Sequence, residues 1–214
     1  MHNRPRRWSL PALYLVCLLA FPVPGGAAVT EVAERPPALD CGRTSRPMEM
    51  LVCRDPGLAA LDREATRLYG LARASVSGRR LEGLDEAQRA WRLRRDDCRN
   101  AVDPRACVLA IHLDRIATLR QHHAAARVPA ESGTSRGPVA FDCGAAPLAA
   151  TFVDGDPAMA HLRYRGAGYA LVQTPSASGV RYAGAEGAAM VGKGTEATIT
   201  LPGHTELACR ERRR

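Results

Sequence analysis

A serine and a lysine head two small-residue stretches in the last third of the chain. The first runs Pro175-Ser176-Ala177-Ser178-Gly179-Val180-Arg181-Tyr182, and the second Gly192-Lys193-Gly194-Thr195-Glu196-Ala197. A short apolar segment, Ala188-Ala189-Met190-Val191, precedes the second. A lysine ammonium is a compact charge with three donors. A serine hydroxyl both donates and accepts, so it can meet a carboxyl group in either protonation state. Gly179, Gly192 and Gly194 permit the tight turns that would push both heads outward. The chain has 30 basic residues, and Lys193 is its only lysine.

Other chemistries fit these residues less well. A serine nucleophile needs a strained elbow and a base within reach. The chain has no Gly-x-Ser-x-Gly and no Ser-x-x-Lys, and His204 stands far from any carboxylate at a recognisable spacing. Metal binding needs closely spaced Cys and His pairs. No Cys-x2-Cys occurs, and His122-His123 has no partner motif. The reading is therefore noncovalent binding, with no catalytic residue, no metal and no cofactor. A Ser178–Lys193 hydrolase and an envelope-binding module without inhibitory activity are the alternatives.

The paired stretches resemble the signature of the MliC/PliC family of bacterial inhibitors of c-type lysozyme. There a Ser-Ala-Ser-Gly-x-x-Tyr loop and a Lys-Gly-x-Glu-Ala loop enter the lysozyme cleft. The resemblance spans Val139 to Arg210 and takes in Phe141-Asp142-Cys143 and Cys209. It implies an eight-stranded barrel, with c-type lysozyme as the protein partner. It also implies a binding set of Ser178 and Lys193 with Ser176, Gly179, Tyr182 and Gly194. Met190-Val191 stands where the family has an aromatic pair.

The elements that must position these loops begin after a leader. Met1 to Ala28 reads as a secretory signal, with Arg4, Arg6 and Arg7, an apolar centre from Leu10 to Val23, and a small-residue cleavage site at Gly26-Ala27-Ala28. Cys17 follows Val16 inside the apolar run, which argues against a lipid anchor there. No stable membrane insertion is expected after cleavage, and the periplasm is the expected address. Cysteines 41, 53, 98, 107, 143 and 209 remain, an even set that reads as disulfides in an exported protein. Cys143 pairs with Cys209 in this reading, and Cys41–Cys53 with Cys98–Cys107, with cross-pairing among the last four left open. The net charge of +8 is interleaved with acids, a poor match to nucleic acid.

The chain divides into an α-helical part (29–125), a linker (126–138) and a β part (139–214). The fold class is α+β in separate domains: a small disulfide-stapled helical module, then an antiparallel eight-stranded β-barrel. Asp55-Pro56 and Asp103-Pro104 read as helix starts, an Asp cap followed by Pro. Leu58, Leu61, Ala65, Leu68 and Ala72 form one stripe at helical spacing. A second helix is predicted from Asp85, carrying Trp91 into the core, where its indole N–H needs a partner. The helix after Asp103 carries Cys107, Ala110, Ile111, Asp114 and Ala117 along it.

These residues resemble the LprI-like domain of exported bacterial proteins, through Cys41 to Cys53 with Glu49 between, Tyr69, Gln88-x2-Trp91-x3-Arg95-x2-Cys98 and Cys107. Short alternating runs separated by turns such as Asp154-Gly155-Asp156-Pro157 and Pro202-Gly203-His204 predict about eight strands in the β part.

Overall fold

The computed structural model describes residues 38–129, 133–144 and 146–212. The predicted leader, Cys17 and the terminal Arg213-Arg214 lie outside them.

Four helices come first: α1 (Pro47–Arg54), α2 (Pro56–Ala74), α3 (Arg79–Asp97) and α4 (Pro104–His122). The Asp-Pro starts are used as read. The Asp55 carboxylate accepts from Leu58 N at 2.9 Å, and Asp103 accepts from Ala106 N at 2.9 Å. Each cap satisfies a donor that the helix cannot, a contribution of about 1 kcal/mol. The Leu58–Ala72 stripe is wholly buried. Each leucine removed from water in this way contributes about 2 kcal/mol.

The second long helix starts at Arg79, a turn and a half before the predicted Asp85. Gly78 sits at φ 55 and redirects the chain there without a capping side chain. Trp91 is core, donating its indole N–H to Ile111 O at 3.1 Å. The disulfides are Cys41–Cys53 and Cys98–Cys107, which resolves the open pairing.

On α4, Val108, His112, Leu113, Arg115, Ile116, Ala117, Leu119 and Arg120 are buried, a little more than half of the circumference. Cys107, Ala110, Ile111 and Asp114 are half-buried, and Gln121 and His122 are exposed. The buried arc is this wide because α2 and α3 pack on one flank and the barrel on the other.

Eight antiparallel strands then close a barrel, each paired with its sequence neighbours. They are β1 (Ser135–Asp142), β2 (Pro147–Val153), β3 (Met159–Tyr164), β4 (Ala167–Thr174), β5 (Val180–Gly184), β6 (Ala189–Lys193), β7 (Glu196–Thr200) and β8 (Leu207–Glu211). Alternate side chains fill the interior, among them Leu148, Leu162, Leu171, Met190 and Ile199. The seam between first and last strand pairs Phe141 with Glu211 and Asp142 with Arg210. Cys143–Cys209 bridges it, across a sequence separation of 66.

Part of the stretch read as a linker takes part in this packing, while Val128 and Pro129 are exposed. Ala126 is buried in the helical core, and β1 begins at Ser135. Arg120 Nε donates to Gly137 O at 2.9 Å, and the Ser135 hydroxyl bonds the Glu64 carboxylate. Val153 and Met159, from β2 and β3, join the helical core. The turn-forming composition signalled a break in periodicity, which a tight connection between packed layers produces as readily as a free tether does.

Candidate functional site

The loops that carry Ser178 and Lys193 lie side by side because their strands do. Val180, opening β5, pairs with Gly192 near the end of β6. Lys193 then faces Glu196 across the two-residue turn Gly194-Thr195, where Gly194 takes φ 62. The β4–β5 connection, Pro175 to Gly179, lies against this turn. Gly179 has φ 69, and a Cβ on it would sit 2.3 Å from Gly192 O and 3.6 Å from the Lys193 Cβ. Backbone touches backbone at this point, so only glycine fits. Ser176 Oγ donates to Ser178 O at 2.8 Å and ties the loop to itself.

Ser176, Ser178, Gly179, Lys193 and Gly194 are exposed. Among the described residues, neither the Lys193 ammonium nor the Ser178 hydroxyl makes a hydrogen bond or ion pair within the chain. The expected competitor for the ammonium is Glu196, its cross-strand neighbour. Arg210 on β8 engages that carboxylate instead, at 2.7 Å. Arg210 was missed in the sequence because its role depends on β7–β8 register, and no local spacing signals it.

Tyr182 does not join the exposed set. It is 5% exposed, its ring lies 5.9 Å from that of Phe152, and it pairs with Met190 across β5 and β6. Strand alternation explains this: with Val180 and Arg181 exposed, Tyr182 falls on the inward side. Burial raises its phenol pKa above the ordinary value. Tyr182 and Met190 therefore support the two loops from inside the barrel, while Val191 faces out beside Lys193.

His204 is not brought to Ser178. His204 lies on the β7–β8 connection, at the opposite end of the barrel from Ser178, with its ring edge-on to Tyr164 at 5.3 Å. Among the described residues no group of three or more His, Cys, Asp or Glu is arranged to hold a metal ion. No helix among them is long and apolar enough to cross a membrane. What the arrangement offers is a cation and a hydroxyl, presented together at one end of the barrel.

Residues 141–208 match the family described as "Membrane-bound lysozyme-inhibitor of c-type lysozyme", MliC. The chain is also 32% identical over 149 residues to Lipoprotein LprI of Mycobacterium bovis and of Mycobacterium tuberculosis. Each alignment covers 68% of this chain and 70% of the relative. No solved structure matches it. The chain belongs to the family of Lipoprotein LprI, with a domain of the MliC lysozyme-inhibitor family forming its barrel.

Proposed function

We propose that this protein inhibits c-type lysozyme in the bacterial cell envelope, with the Ser178 and Lys193 loops inserted into the enzyme's active-site cleft. Glycosidases of this kind flank the scissile bond with two carboxyl groups. Lys193 pairs with the ionised carboxylate, and Ser178 hydrogen-bonds the other. No bond is made or broken, so the protein acts as a plug. The MliC-family match and the LprI relatives support the inhibitor role and the envelope address, and the leader reading supports the periplasm.

The observation that carries the mechanism is the Lys193 ammonium, unpaired among the described residues. Its cross-strand carboxylate is engaged elsewhere, so the charge is available to a partner without breaking an internal pair. The test mixes purified protein with c-type lysozyme and follows the turbidity of a cell-wall suspension. The parent protein should slow clearing in proportion to its concentration, and Lys193→Ala should not. Unchanged clearing with the parent protein would sink the inhibitor reading. Equal inhibition by Lys193→Ala would sink the plug alone.

A further inference from the structure

Buried arginines in the helical layer find acceptors of different kinds. Arg95, 1% exposed, bonds Glu49 at 2.8 Å and Asp96 at 3.0 Å. Arg115, 4% exposed on α4, donates Nε and Nη2 to the same neutral oxygen, Gln88 Oε1, at 3.0 and 2.7 Å. Among the described residues it makes no ion pair. A buried cation balanced only by an amide is expensive to keep. Desolvation pulls its pKa down to about 10, against the weaker pull of Tyr69 and Asp114, and Arg94 adds to the depression.

Arg115 lines a cavity of about 580 Å³ between the end of α2, the first half of α3 and the end of α4. That is the size range of small-molecule sites. Arg80, His122 and His123 line it too, Val76 and Leu84 supply apolar wall, and no carboxylate is among its lining residues. The helix ends that would offset this positive charge are already engaged. The Ser75 hydroxyl donates to Ala72 O, and Arg127 donates to Arg120 O and Gln121 O. α3, by contrast, begins with no side-chain cap.

We propose that this cavity binds a small organic anion, with a carboxylate or phosphate head on Arg115 and Arg80 and an apolar body against Val76 and Leu84. The unmatched guanidinium is retained because the ligand supplies the missing charge. The site is independent of the lysozyme-facing loops, which sit on the barrel.

The test titrates the full chain calorimetrically with hexyl phosphate, hexanoate, inorganic phosphate and, as a neutral control, hexanol. The two amphiphilic anions should bind and hexanol should not. Arg80→Ala, a change at an exposed residue, should weaken hexyl phosphate about threefold to tenfold. Arg115→Met combined with Gln88→Leu removes cation and amide together. It should weaken binding at least thirtyfold, roughly the loss of one partner of a buried charge pair. Its urea midpoint should hold or rise, because a well-packed apolar pair replaces a costly buried charge. A purely structural arginine gives the opposite pattern, a lower midpoint with unchanged affinity. Sedimentation with phosphatidylglycerol vesicles separates the two sources of the head group. Arg115-dependent co-sedimentation assigns it to a lipid, and binding of free hexyl phosphate alone assigns it to a solute. The proposal fails if hexyl phosphate binds no tighter than hexanol, or if Arg80→Ala and the double variant both keep the parent affinity. Should the double variant not fold, Arg80→Ala decides by itself.

Discussion

Where α4 lies on β1–β4, Asp114 is shared between Arg163 at 2.9 Å and His161 at 3.5 Å, and Arg163 also reaches Thr118 at 3.2 Å. Arg120 on the same helix spends its donors on Gly137 O and Ala126 O. At the β4–β5 and β6–β7 connections the pattern reverses, and a cation and a hydroxyl stand exposed with no internal partner among the described residues. Most groups shut away from water here find partners within the chain, because leaving one unmet costs about 1–3 kcal/mol; His161 Nδ1 and Arg163 Nε are left without a hydrogen-bond partner. Exposed groups are met by water at almost no cost, so they can wait for a partner to displace it. One flank of the barrel is thus built for cohesion and the tip formed by the β4–β5 and β6–β7 connections for encounter.

If that contrast is right, the largest effect belongs to Lys193. Lys193→Ala should weaken lysozyme binding by about 2–5 kcal/mol, thirtyfold or more, mainly through faster dissociation. Lys193→Glu should be worse, since it sets like charge against the cleft. The unfolding midpoint should stay within about 0.5 kcal/mol of the parent in both. A calorimetric titration with a parallel urea melt checks the pair, and a stability loss matching the binding loss would erase the distinction between tip and flank.

Acid should act on the other region. Burial lowers the His161 pKa from 6.5 to about 4, with the charge of Asp114 resisting the shift and that of Arg163 adding to it. Between these values the unfolded chain binds the proton and the folded chain does not, so stability falls as pH falls. The contribution is complete above about pH 6.5, and about 2–3 kcal/mol should be gone by pH 4.5. Urea midpoints at the two pH values measure it, and His161→Gln should flatten the slope. An equally steep slope in that variant would remove His161 from the account.

Gly179→Ala joins the regions, because its new methyl meets Gly192 O inside van der Waals distance. It should cost about 1–3 kcal/mol through local strain and reduce lysozyme binding as the two loops part. Full inhibition by that variant would show that the loops act separately. Ser178→Ala should have the smallest effect, about 1 kcal/mol or roughly fivefold in affinity, since it removes a hydrogen bond and strands no charge. A loss as large as that of Lys193→Ala would make the hydroxyl an equal partner in the plug.

Much of this arrangement was legible before any coordinates. The Asp-Pro caps, the Leu58–Ala72 stripe and the core place of Trp91 follow from local rules, each acting within a helical turn or two. The strand count followed from turn chemistry, and the adjacency of the two loops from the family resemblance. What could not be read depends on distant partners. α4 buries His112, Arg115 and Arg120 among its apolar residues because two layers claim it, and no local pattern signals that. Tyr182 travels with the loop motif in sequence, yet strand alternation turns it inward. The Glu196–Arg210 pair exists only through β7–β8 register, and Arg115 gives no sign in sequence that its partner is an amide.

The barrel's seam has a bearing on how the protein is made. β1 and β8 meet through two residue pairs and the backbone bond from Arg212 N to Ala140 O, with Cys143–Cys209 alongside. Every other strand joins a sequence neighbour, so those hairpins need only short loops to close, whereas the seam must bring together the two ends of the β half. Until it does, β1 and β8 each present an open row of backbone donors and acceptors, the template on which a second copy can add its own strand. Oxidation of the two cysteines makes the late closure durable. In a reducing compartment the seam would be held by its backbone pairs alone, so its two edges would open to other molecules more readily than in an oxidising one.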